Sequence, residues 1–167
     1  LVVKPLNEGS SVNVFICNKN NILKTLTQLN EYGEVLLEKY IPGREIQVAI
    51  LENKVLGAIE LRPTRKFYDY QAKYNPKART EHIIPVEISK RKYQELTKIA
   101  LKAHKILNCR GVTRSDFRYY KNSFYLLETN TQPGMTSLSL VPEIANFNNI
   151  TFKNLLKKIL EDASINK

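Results

Sequence analysis

Apolar and polar positions alternate in short β-branched runs early in the chain and settle into helical spacing later. Leu1 to Lys4 and Val12 to Ile16 read as strands around a turn at Asn7 to Ser11, bounded by Pro, Asn, Gly and Ser. Ile22, Leu23, Leu26 and Leu29 recur at the period of a helix that stops at Gly33. Strands are expected at Val35 to Tyr40, Glu45 to Leu51 and Val55 to Leu61, with Pro42-Gly43 breaking the first from the second and Glu52 to Lys54 turning a hairpin. Residues 62–85 lose the apolar period and carry Phe67, Tyr68, Tyr70 and Tyr74 among basic side chains, the pattern of a lid, a binding loop or a disordered segment, with the tyrosines favouring a lid. A helix capped by Ser89 shows Tyr93, Leu96, Ala100, Ala103 and Leu107 on one face, and a last helix runs from Thr151 through Phe152, Leu155, Leu156, Ile159 and Leu160. Strands and helices mixed in this irregular order predict an α+β fold with a mostly antiparallel sheet flanked by helices.

The densest chemistry lies in residues 112–130, which read as a hairpin turning near Lys121 to Ser123. A turn centred on Asn122 sets Asp116 against Glu128 and Arg114 against Asn130, all four on one face. The other face then carries Phe117, Tyr119, Tyr125 and Leu127 as core, and Thr113 and Ser115 also point away from the polar side. Two opposed carboxylates repel unless a cation joins them. An oxygen-only set of Asp116, Glu128 and the Asn130 amide suits Mg²⁺ or Mn²⁺ better than Zn²⁺. A solvated face with Arg114 paired to Asp116 satisfies the same residues equally well. After the hairpin, Thr131 to Leu140 forms a hydroxyl-rich turn around Pro133-Gly134, able to offer N–H groups to an anion or to act as an ordinary turn. Lys4-Pro5 followed by Glu8 to Val12 is a second small-residue turn beside a lysine, without the spacing of a Walker-type phosphate loop.

A formal charge of +10, from 26 Lys and Arg against 16 Asp and Glu, calls for an anionic partner, nucleic acid being the first to weigh. The basic residues are scattered over helices and the loop instead of forming a stripe with stacking aromatics, which argues against nucleic acid. Cys17 and Cys109 belong to no C-x-x-C pair, which removes zinc and dithiol chemistry and fits a reducing cytoplasm. No apolar run reaches the ~18 residues of a membrane span. His82 and His104 are expected to serve solvation and packing. The chain opens at Leu1 inside an apolar run with no initiator methionine, which suggests a piece of something longer.

Taken in order, VVKPLNEGSSV at 2–12, LLEKYIPGREIQVAIL at 36–51, FYDYQAKY at 67–74, GVTRSDF at 111–117 and YLLETNTQPGMTSLSLVP at 125–142 resemble the C-terminal part of the D-alanine–D-alanine ligases of the ATP-grasp superfamily. The resemblance implies an ATP-grasp fold, with 1–42 the remainder of a central lobe and 43–167 a C-terminal catalytic lobe carrying loop 62–85. It implies that Lys4 and Lys73 meet ATP phosphates, that Glu38, Lys39 and Ile41 hold adenine, and that Glu45 holds the ribose. Asp116, Glu128 and Asn130 would bind two Mg²⁺ or Mn²⁺ ions. Arg114 would steady the transferring phosphoryl group, Ser10, Ser11 and Tyr74 would close over the substrates, the Gly134 N–H would stabilise the tetrahedral intermediate, and Ser139 with Leu140 would receive the second D-alanine. The implied activity is ATP-dependent joining of two D-alanines through an acyl phosphate, for peptidoglycan precursors. Relatives that take D-lactate or D-serine differ at the position of Tyr74, where tyrosine favours the dipeptide. Implied partners are ATP, D-alanine, the preceding part of the same enzyme and, in the full-length enzyme, a second copy; neither nucleic acid nor membrane is implied, and the chain alone is expected to be inactive.

Overall fold

The computed structural model describes residues 1–9, 11–63 and 80–163. Ser10 and the loop positions Phe67, Tyr68, Tyr70, Lys73 and Tyr74 lie outside the described residues. The chain divides into two units, Leu1–Ile41 with Pro63–Glu81 and Pro42–Arg62 with His82–Lys167.

In the first unit, β1 (Val2–Pro5) is the centre of a three-stranded antiparallel sheet between β2 (Phe15–Ile16) and β3 (Val35–Glu38). Strand alternation turns Val3 inward, where it packs with Cys17 and Leu29, and leaves Lys4 on the opposite face. Helix α1 (Ile22–Gln28) adds Ile22 and Leu26 to that core. β2 is shorter than the expected Val12 to Ile16, because the backbone at Ser11 and Asn13 takes positive φ and cannot extend.

The second unit is built on a five-stranded sheet in the order β6-β5-β4-β7-β8: β4 (Arg44–Leu51), β5 (Lys54–Pro63), β6 (Thr80–Ile83), β7 (Val112–Tyr120) and β8 (Ser123–Asn130). Both long hairpins turn on two residues with positive φ, Glu52-Asn53 and Lys121-Asn122, the left-handed pair whose twist matches that of the strands. β6 corrects the expectation of an unbroken loop over 62–85, which has a strand at its far end and the close of β5 at its start.

Helix α2 (Lys90–Ile106), capped at Ser89, whose Oγ accepts the Lys92 N–H at 3.3 Å, covers one face of this sheet. Its Leu96 and Ala100 pack on Ile46, Val48, Ile50, Ala58 and Phe117. His104 is fully buried on the same helix with its Nδ1 2.8 Å from Thr113 Oγ1. Burial, reinforced by the charge of Lys105, holds its pKa below the ordinary value, so the ring is neutral. Helix α3 (Leu140–Phe147), which the hydrophobic pattern did not reveal, packs on the opposite face where Gly57 leaves room: a Cβ there would stand 2.7 Å from Ile144 Cγ2. Leu56 is the extra residue of a β-bulge, and its carbonyl is met by Asn148 Nδ2 at 2.9 Å. Helix α4 (Phe152–Asp162), capped by Thr151, packs beside α3.

Glu60 has no exposed side-chain surface and is gripped by Arg44, with Nε to Oε1 at 2.8 Å, and by Arg62 at 3.1 Å. Burial pushes its carboxyl up, but the hydrogen bonds and charges of the two arginines outweigh that and hold it below 4.5. The folded pKa is therefore the lower one, and the stabilisation is whole above 4.5 and is lost as pH falls through the folded value. Glu60→Gln should lower stability at pH 7 by about 1–3 kcal/mol, discounted from a fully buried pair because Arg44 keeps 32% of its side chain exposed. In urea unfolding from pH 7 to pH 3 the gap between variant and wild type should narrow as the pH drops; a constant gap would show that the carboxylate is not held by these charges.

Candidate functional site

The polar side of the second unit is set by register. On β7, Arg114, Asp116 and Arg118 alternate with the core-facing Thr113, Ser115 and Phe117. β8 brings Glu128 opposite Asp116 and Asn130 opposite Arg114, as the sequence pattern predicts. The cause differs from a turn centred on Asn122. The two-residue turn pairs Tyr120 with Ser123 and Phe117 with Leu126, and a register shift beyond Phe117 leaves Leu127 as an extra residue before Glu128. The expected core positions change accordingly: Tyr125 pairs with Arg118 on the polar side and is 39% exposed, Leu127 sits at the bulge and is 43% exposed, and Phe124 stacks on Tyr119 instead.

Arg114 and Asp116 form a two-pronged ion pair, Nε to Oδ1 at 2.8 Å and Nη2 to Oδ2 at 3.0 Å, with Asp116 nearly buried. Asn130 Oδ1 accepts the Gln132 N–H at 2.9 Å, which bends the chain into the following turn. Glu128 is exposed. Strand β4 adds Glu45, which the resemblance assigns to the ribose, and Gln47, which the sequence pattern did not single out. Glu45 faces Arg118 across the strands, with Oε2 3.2 Å from Nη2, and Gln47 stands directly opposite Asp116. Gln47 is 1% exposed and its Oε1 has no hydrogen-bond partner among the described residues. The visible signal was a lone amide in the apolar run Ile46 to Leu51; its meaning depended on β4 pairing with β7, more than sixty positions away.

The turn after β8 is closed by Thr136 and Ser139. Ser139 Oγ accepts the Thr136 N–H at 3.0 Å and lies 2.9 Å from Thr136 Oγ1, while the Ser139 N–H donates to the Thr136 carbonyl at 3.0 Å. Ser139 is the residue before α3, and Leu140 is buried at its first turn. A Cβ on Gly134 would approach Ser139 Oγ to 2.9 Å, so only glycine lets the chain pass there undisturbed.

In the first unit, Lys4 Nζ lies 2.8 Å from Glu38 Oε2, the two on one face of the β1–β3 ladder. Lys39 follows as an exposed side chain, and Ile41 is half-buried. Ser11, at φ 59, lies in the turn after Ser10. His82, given no role by the sequence, has Nδ1 2.7 Å from Glu143 Oε2.

A divalent cation fits the β7–β8 face on its donor chemistry. The donors are all oxygen, and an orphaned amide oxygen is buried on the same side. Among the described residues no three His, Cys, Asp or Glu side chains gather as a metal cluster, and this set has two carboxylates and one amide. Among the described residues, no helix is long and apolar enough to cross a membrane.

The antiparallel sheets, flanking helices and opposed carboxylates define the class: this is an ATP-grasp ligase fold. The family model of the D-ala D-ala ligase C-terminus matches residues 1–161, and the chain belongs to that family. It is 64% identical to a D-alanine–D-alanine ligase of Pelagibacter ubique over 167 residues, covering 100% of this chain and 55% of the relative. It is 45% identical to that of Paramagnetospirillum magneticum, covering 97% and 55%. Among solved structures, the D-alanine–D-alanine ligase of Bacillus anthracis superposes with a TM-score of 0.83 at 36% identity, over 96% of this chain and 53% of the other. VanG D-Ala:D-Ser ligase of Enterococcus faecalis gives 0.81 at 26% identity, over 96% and 48%. The chain thus spans about half the length of the relatives it matches.

Gly134→Ala should force Ser139 aside and open the Thr136–Ser139 turn. Hydrogen exchange at the Thr136 amide should then quicken while the unfolding free energy stays within ~0.5 kcal/mol of wild type. Unchanged exchange would show that the turn absorbs the methyl group.

Proposed function

We propose that this chain is the nucleotide- and metal-binding portion of a ligase that joins two D-alanines at the expense of ATP, supplying peptidoglycan precursors in the cytoplasm. The observation that carries the reading is the face on which Arg114, Asp116, Glu128 and Asn130 meet, in a chain matched by the family over residues 1–161. Because the chain spans about half of its relatives, the reaction is assigned to it together with the preceding part of the same enzyme.

Phosphoryl transfer asks little covalent chemistry of the protein and much of positioned charge. On the first unit, Lys4 meets the ATP phosphates, Glu38, Lys39 and Ile41 take the adenine edge, and Ser10, Ser11, Lys73 and Tyr74 close over the reactants. On the second, Glu45 takes the ribose hydroxyls and Arg114 steadies the phosphoryl group as it moves to the carboxylate of one D-alanine. The amine of the second D-alanine, received at Ser139 and Leu140, then attacks the acyl phosphate, and the Gly134 N–H stabilises the oxyanion. Asp116, Glu128 and Asn130 would hold two divalent ions, Mg²⁺ or Mn²⁺, which would supply positive charge to the phosphate oxygens. The three donors stand on facing strands, so one hairpin orients the whole set.

A ligase that takes D-serine as second substrate is the neighbouring reading, favoured by the likeness to VanG; Tyr74 favours the dipeptide.

Calorimetric titration of ATP with Mg²⁺ should show binding to the chain, weakened at least tenfold in an Asp116→Asn, Glu128→Gln variant. Identical titrations would remove the metal face. Dipeptide and phosphate should be released only when the chain is joined to the N-terminal half of a relative such as the Pelagibacter enzyme, and from D-alanine in preference to D-alanine with D-serine. Turnover by the chain alone, or a preference for D-serine, would overturn the corresponding part of the assignment.

A further inference from the structure

Gln47 is a polar residue in a place where an apolar one would cost less. Six consecutive residues of β4, from Ile46 to Leu51, are buried, and Gln47 is the polar one among them. Its amide oxygen finds no partner among the described residues. A buried acceptor left unpaired destabilises the fold, whereas methionine or leucine would fill the same volume without that penalty.

Register gives the oxygen an address. Gln47 pairs with Asp116 on β7 and with Ile59 on β5, and alternation turns it away from the Ile46, Val48 and Phe117 core toward the polar face. Directly opposed residues hold their Cβ atoms ~4.5–5.5 Å apart. Gln47 therefore shares a face with the Asp116 carboxylate, and its own acceptor is left unpaired. Arg114 spends its two N–H prongs on Asp116 Oδ1 and Oδ2. A carboxylate has about four lone-pair sites, so Asp116 retains capacity for a cation after Arg114 has bound it. What the pair of acceptors lacks is a donor with two protons, and a water carried by a divalent cation is one. Mg²⁺ in particular keeps several of its waters when bound by one or two carboxylates.

We propose that Gln47 is a positioning residue for the cation bound at Asp116: its Oε1 accepts a hydrogen bond from a water of that cation and so fixes the water against β4. The proposal rests on the metal-face reading above and adds to it a residue that is not itself a ligand. Partners of this outer kind are commonly worth ~10–100-fold in metal affinity.

Mn²⁺ binding to the 167-residue chain, alone and with ATP, read by the loss of the free-ion electron paramagnetic resonance signal, tests it alongside thermal unfolding in EDTA. Gln47→Met should weaken Mn²⁺ binding about tenfold while its Tm in EDTA equals or exceeds that of wild type, since an unpaired oxygen has been removed. Gln47→Glu, which keeps an acceptor at the site, should bind Mn²⁺ at least as tightly as wild type. If Asp116→Asn weakens Mn²⁺ binding and Gln47→Met does not, the inference about Gln47 fails and the metal face stands. If wild type and Asp116→Asn take up Mn²⁺ alike, the metal face itself fails and Gln47 falls with it. A Gln47→Met chain that fails to fold, or that loses Tm in EDTA, gives the amide a structural bond and also overturns the proposal.

Discussion

One surplus residue in β8 decides which chemistry the second unit can offer. The Lys121-Asn122 turn, with φ of 47° and 63°, closes the hairpin so that Tyr120 meets Ser123 and Phe117 meets Leu126. Continued without interruption, that register would bring Leu127 opposite Asp116 and Glu128 opposite Ser115. Strand alternation would then point Glu128 at the face that α2 covers. The bulge at Leu127 consumes one residue, and Glu128 arrives opposite Asp116 instead. Two carboxylates share a face only because of that step, which also brings Asn130 to the side where Arg114 and Gln47 stand.

The sheet also separates two kinds of buried charge. On the α2 side, the buried Glu60 is neutralised by Arg44 and Arg62, a closed arrangement with its acceptors already met by guanidinium donors. On the opposite side, Asp116 is met by a single arginine and stands opposite Gln47 on β4. The first arrangement holds a hairpin together; the second leaves acceptors over. The surplus of ten positive charges reads differently in this light. Arg44, Arg62, Arg114 and Arg118 are committed to Glu60, Asp116 and Glu45, while α2 carries Lys90, Arg91, Lys98, Lys102 and Lys105 along its length. Part of the basic character is therefore that of a solvated helix, and the guanidinium groups of the sheet are tied to carboxylates.

How much of this was legible in the sequence follows from the range of each interaction. Local signals worked: the caps at Ser89 and Thr151, the spacing of Leu96 and Ala100, and the period-two alternation that gathered Arg114, Asp116, Glu128 and Asn130. Helix α3 escaped because eight residues give barely two turns, and Pro142 breaks the pattern although the first turn of a helix tolerates proline. Tyr125 and Leu127 were assigned to the core because a bulge leaves no mark in an alternating run. Glu45, Gln47 and Arg118 acquire their neighbours through the β4–β7 ladder, which joins segments that no local pattern connects.

The Arg114–Asp116 pair, offered by the sequence as the rival of a metal, would serve as its frame under the proposed function. A carboxylate held by two parallel N–H donors has its plane fixed and its outer lone pairs directed away from the arginine. With Asp116 nearly buried and Arg114 on the same strand, that orientation is maintained by the fold itself and needs no ligand to create it. Under the proposed assignment, a cation arriving from the Glu128 side would meet a carboxylate already aimed, with the lone pairs that Arg114 leaves open. Pre-orientation of this kind lowers the ordering cost of binding, and under that assignment it would let two carboxylates and one amide hold ions that a looser set of the same groups would release.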